Sequence, residues 1–84
     1  MITTIEDGKF YLLYVLIEMS DNVSDCHTPF KSLASAKEHM DSEIKSCKAL
    51  FGSTEVLCDY EYYHEERTED GYGFSIGIDE MTPM

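Results

Sequence analysis

Apolar and polar positions change their period three times along the chain. Residues 10–19 are apolar on both parities, with Phe10, Leu12, Tyr14 and Leu16 on one and Tyr11, Leu13, Val15, Ile17 and Met19 on the other. That pattern predicts a strand buried on both faces. Residues 2–5 with the turn 6–9, which contains Asp7-Gly8, predict a partner strand in a hairpin. From 33 to 51 the period becomes helical. Leu33, Ala36, Met40, Ile44, Cys47 and Phe51 form one stripe, Ser32 is placed as N-cap and Gly52 as the C-terminal stop. Residues 20–31 are polar, contain Asp21-Asn22 and Pro29, and predict a loop.

Residues 55–66 alternate again: Val56, Cys58, Tyr60 and Tyr62 on one parity; Glu55, Leu57, Asp59, Glu61, Tyr63 and Glu65 on the other. The period of two puts the acids on one strand face. A turn holding Asp70-Gly71 then leads into Tyr72, Phe74, Ile76 and Ile78, alternating with Gly73, Ser75, Gly77 and Asp79, which predicts a second hairpin. Residues 81–84 read as a frayed tail. The sum is a single α+β domain over residues 1–84. It is ββαββ, a mostly antiparallel sheet with the helix across one face. One helix covers only one face, so the second face of the 10–19 strand needs a loop or a partner. Tyr11, Leu13, Val15 and Ile17 are the candidate homodimer face.

Charge changes this picture from a fold to a surface. The 84 residues carry a formal net charge of −11, and residues 55–84 hold nine acids against Arg67 alone. Such a field disfavours direct nucleic-acid or anionic-lipid binding and attracts basic partners. The longest apolar run is too short for a membrane helix, and the acidic start does not suit a secretory signal. Three widely spaced cysteines, Cys26, Cys47 and Cys58, fit reduced thiols in a cytoplasmic protein rather than a disulfide framework.

Catalytic and metal chemistry find little footing. Asp59 and Glu61, two apart on a strand and about 6.6–7 Å at Cα, resemble a glycosidase pair only in separation, with no apolar pocket implied. His27, His39 and His64 lack ligand spacing with one another or with the cysteines. Asp21 to Asp25 lacks the glycine and terminal glutamate of a calcium loop. Asp25, Cys26 and His27 are the right types for a nucleophilic relay, but consecutive residues diverge. No catalytic activity, metal or cofactor is therefore expected. Partner recognition needs no such spacing. Asp59, Glu61, Tyr63, Glu65, Glu66, Glu69, Asp70 and Asp79 combine carboxylates for Arg and Lys with tyrosine contact area, and form the candidate partner-binding set.

With the acid-rich run Glu61-Tyr62-Tyr63-His64-Glu65-Glu66 leading into Glu69-Asp70, the small size, the charge and the one-helix-plus-sheet organisation, the chain resembles the small acidic inhibitors encoded by bacteriophages. These include anti-CRISPR proteins and other DNA mimics. The resemblance covers the chain in style, without a shared motif. It implies an inhibitor in the host cytoplasm that occupies the basic nucleic-acid-binding surface of a nuclease or CRISPR-type effector. The alternative is a homodimeric ligand-sensing or structural module with its site along residues 10–19.

Overall fold

The computed structural model describes residues 9–82. Five strands and one helix follow in the order β1 (Phe10–Glu18), β2 (Val23–Phe30), α1 (Leu33–Phe51), β3 (Glu55–Tyr60), β4 (Tyr63–Arg67) and β5 (Gly73–Met81). The strands form one antiparallel sheet ordered β2-β1-β5-β4-β3, so β5 lies at its centre. This is an α+β fold with the helix packed on the sheet.

The helix has the predicted bounds because its ends are fixed by local chemistry. The Ser32 hydroxyl accepts the Ser35 amide at 3.0 Å, and Gly52, at φ 81°, returns its N–H to the Lys48 carbonyl at 2.9 Å. All six stripe residues face the sheet: Ala36, Met40 and Cys47 are buried, and Leu33, Ile44 and Phe51 pack against them. The sheet contributes Leu13 and Val15 from β1 and Phe74, Ile76 and Ile78 from β5. Phe74 is the largest fully buried side chain, stacked between Phe51 and His64. Burying a side chain of that size stabilises the fold by about 1.5–3 kcal/mol.

Residues 20–31 are not a loop, since Val23–Phe30 pairs along the whole of β1. An exposed edge strand with no apolar alternation has the composition of a loop. Residues 55–66 are two strands, β3 and β4, joined at Glu61-Tyr62. Neither turn residue has positive φ, so the Gly or Asn signature of a primed turn is missing. The β4–β5 hairpin stands as predicted, closed by Thr68 N–H to the Tyr72 carbonyl at 2.6 Å, and β5 runs on to Met81 instead of fraying there. The predicted strand at 2–5 and its Asp7-Gly8 turn lie outside the described residues.

The candidate dimer face is also corrected. Leu13 and Val15 are buried beneath α1, and Tyr11 and Ile17 pack against the same core. They cannot meet a second copy while the helix is in place. The face of β1 that the helix leaves open carries the other parity, Phe10, Leu12, Tyr14 and Leu16, all half-buried.

Candidate functional site

The strand register sorts every predicted site residue onto one face or the other. On the open face, β1 presents Phe10, Leu12, Tyr14 and Leu16. Tyr14 lies beside His27 of β2, with ring centroids 6.4 Å apart, and over Gly77 of β5, beyond which comes Tyr63 of β4. Burial, then the Asp79 carboxylate and Tyr63, push the Tyr14 phenol above its ordinary pKa. Four residues further along, Arg67 reaches across Gly73 to Glu18 at 2.7 Å while its Nε donates to Glu65 at 2.7 Å. Glu65 is held below the usual carboxylate range by the Arg67 hydrogen bond, against a smaller opposing effect of burial.

The helix face of β4 carries a network that sequence reasoning did not anticipate. Glu66 is 1% exposed and His64 6% exposed. The imidazole Nε2 meets Glu66 at 2.6 Å and Nδ1 meets Asp59 at 3.2 Å, so each ring nitrogen faces one carboxyl group. Lys48 adds an ion pair to Glu66 at 3.3 Å, and the Thr54 hydroxyl donates to its other oxygen. Burial pushes the Glu66 carboxyl up, but the hydrogen bonds from His64, Thr54 and Lys48 outweigh it and hold the group below its ordinary value. Every polar side-chain atom buried here has a partner. This is the arrangement of a structural ion cluster.

The candidate partner-binding set therefore does not share one face. The bulge between Val56 and Cys58 and the turn at 61–62 break the period of two. They send Asp59 to the helix side, Glu61 to the turn and Glu65 to the open side. Glu66 is buried, and Glu65 and Tyr63 are half-buried and hydrogen-bonded to each other. Glu61, Glu69, Asp70 and Asp79 remain exposed. Asp59 and Glu61 share no face on which to act as a catalytic pair.

What the fold does assemble is an acidic end. The β1–β2 turn, the α1–β3 connection and the β4–β5 turn meet there around two neighbouring clefts. One, of about 480 Å³, is lined by residues including Thr54, Glu55, Thr68, Glu69 and Asp70. The other, of about 320 Å³, is lined by residues including Met19, Asp21, Phe51, Asp70 and Tyr72. Thr68 and Asp70 border both. Among the described residues Asp21, Glu55, Glu69 and Asp70 form no ion pair, and Arg67, which lines the first cleft, is committed to Glu18 and Glu65. The C-terminus of α1 adds the negative end of its dipole. Such an end is suited to receiving guanidinium or ammonium groups, with Phe51 and Tyr72 for apolar contact. Glu55 and Asp21 are the members that sequence reasoning missed, because only the sheet order brings them beside the β4–β5 turn.

Among the described residues no cluster of three or more His, Cys, Asp or Glu is placed to hold a metal ion. In β2, the register sends Cys26 to the helix side and Asp25 and His27 to the open side, so the three do not converge. The thiols differ sharply. Cys26 is exposed, whereas Cys47 is buried and pushed up to about 11 by desolvation, with Glu43 and Glu66 adding to it. Alkylation of the native protein at neutral pH is expected to modify Cys26 first and Cys47 only on unfolding, as read by peptide mass. No described helix is long and apolar enough to cross a membrane. The chain matches no protein-family model and shows no significant similarity to a curated protein or to a solved structure.

Proposed function

We propose that the chain is a non-catalytic, acidic protein-binding domain that inhibits a nucleic-acid-binding protein, such as a nuclease or CRISPR-type effector, by occupying its basic surface. The observation that carries this reading is the acidic end, where Asp21, Glu55, Glu69 and Asp70 border two clefts and form no ion pair among the described residues, the cleft's Arg67 being held by Glu18 and Glu65. The net charge of −11 extends the attraction beyond the contact itself. The free thiols of Cys26, Cys47 and Cys58 suit a reducing cytoplasm.

The test uses the chain as bait in a bacterial lysate. A basic nucleic-acid-binding protein is expected to be retained and to be released by salt or by competing DNA. Replacing Asp21 and Asp70 by Asn and Glu55 and Glu69 by Gln should leave the circular dichroism spectrum unchanged. The same variant should weaken binding about tenfold to a hundredfold and flatten its salt dependence. Glu65 and Glu66 are kept, because they hold the fold together. Retention of the partner at undiminished affinity by this variant would overturn the proposal.

A second reading rests on the open sheet face. Phe10, Leu12, Tyr14 and Leu16 form an apolar stripe that no described element covers, as a homodimeric ligand-sensing or structural module would require. A compact dimer in sedimentation that persists at high salt would favour it.

A further inference from the structure

We propose that the outer edge of β3 is a docking strand for an extended, basic segment of a partner protein, which adds to the sheet as a sixth strand beside Glu55–Tyr60. This deepens the acidic-domain reading and rests on it.

β3 lies at one end of the sheet and pairs only with β4; among the described residues no strand pairs with its other side. An unpaired edge is a template for another chain, and proteins normally blunt one with lysine, proline, a bulge or short length. The other edge of this sheet is blunted in that way: β2 is polar and carries Pro29. β3 has neither lysine nor proline, and it exposes Val56 (47%), Leu57 (53%) and Tyr60 (70%), three of the more exposed large apolar side chains described. The helix does not shield it, since α1 packs on β5, β1 and β2.

Charge decides the occupant. The apolar positions are interleaved with Glu55 and Asp59 and followed by Glu61, none of which pairs with a Lys or Arg among the described residues. A second copy brings to this edge the same three carboxylates, with no lysine or arginine in its own β3 to meet them, and the same formal net charge of −11. Like charges brought together at a sheet edge are destabilising, so the edge disfavours its own copy. A strand with a Lys or Arg on each face and Val or Ile between them places one cation against Glu55 on the open side and one against Asp59 on the helix side, with apolar side chains beside Val56 and Tyr60. The bulge at Leu57 shortens the regular stretch, so side-chain complementarity carries much of the recognition.

The test uses the whole chain, isotopically labelled, with an end-blocked peptide repeating Lys-Val-Val, in which successive lysines fall on alternate faces as Glu55 and Asp59 do. A second peptide of the same sequence has the backbone nitrogens of alternate residues methylated, keeping charge and removing donors. The first peptide is expected to slow amide exchange within 55–60, and the methylated one to bind at least about tenfold more weakly. Equal binding of both without protection in β3, or protection at 23–30 instead, would overturn the docking strand and leave the acidic-domain reading standing. Binding of neither overturns the docking strand and also counts against the acidic-domain reading.

Discussion

Gly73→Ala is expected to lower the unfolding free energy by about 3 kcal/mol or more, one of the two largest effects anticipated for a single substitution in this chain. A Cβ built on Gly73 falls 2.0 Å from the Glu66 carbonyl oxygen and 2.7 Å from the Arg67 Cα. Both obstacles are backbone of the adjoining strand, so relief requires β4 to move away from β5, loosening Glu66, Arg67 and their partners together. Gly77→Ala supplies the contrast. There the Cβ falls 2.2 Å from the Tyr14 hydroxyl, the far end of a side chain that can swing over the open face. The expected loss is smaller, about 1–2 kcal/mol. Urea unfolding of the two variants measures the difference. A Gly73→Ala midpoint equal to or above that of Gly77→Ala would mean that β4 and β5 are not in the register described.

Glu66→Ala is expected to cost about 3–5 kcal/mol at neutral pH, because it leaves the buried His64 facing an empty site and strips Lys48 of its counter-ion. Lys48 is half-exposed and can turn to water, which favours the lower end of that range. A double-mutant cycle with His64→Ala is expected to give a coupling of roughly 1–3 kcal/mol, whereas independent side chains would give additive losses. Acid supplies a further check. The folded carboxyl of Glu66 lies below its ordinary value of 4.5, so its contribution is in place above that pH and fades as acid protonates the folded form. The gap in stability between the native chain and Glu66→Ala should therefore narrow in acid. Glu65, likewise held low, makes the native chain itself less stable in the same direction. A gap independent of pH would show that the carboxylate charge contributes nothing.

Where a residue's neighbours are close in sequence, the sequence was sufficient. The helix and its six-residue stripe follow from a period and two caps, and the β4–β5 hairpin from Asp70-Gly71. What was not legible depends on partners far along the chain. β2 is a strand because β1 offers it a hydrogen-bonding edge, and nothing in its own Val-Ser-Asp-Cys-His-Thr-Pro-Phe composition says so. The parity of β1 that faces the helix could not be chosen, since both parities are apolar. Glu66 sits in an acidic run that reads as solvent-facing. Only the pairing of β4 with β5 carries it under Lys48 and against His64. The acidic end, too, is made by three connections that the sequence separates and the sheet order reunites.

That order governs how the chain can reach this state. β1, β2 and α1 are local to one another, as are β3 and β4, yet the two groups meet in the sheet only through β5, whose Gly77 pairs with Tyr14 of β1 across 63 positions of sequence. Until β5 inserts, Leu13 and Val15 lack its Ile78 and Ile76 beside them, and His64 and Glu66 lack Phe74. Closing so long a loop costs entropy before its contacts form, which slows folding relative to a helical domain of equal length. The strand that completes the core is the last described strand to be synthesised, so the growing chain holds two unjoined hairpins with apolar faces open, a species prone to aggregation until β5 joins them.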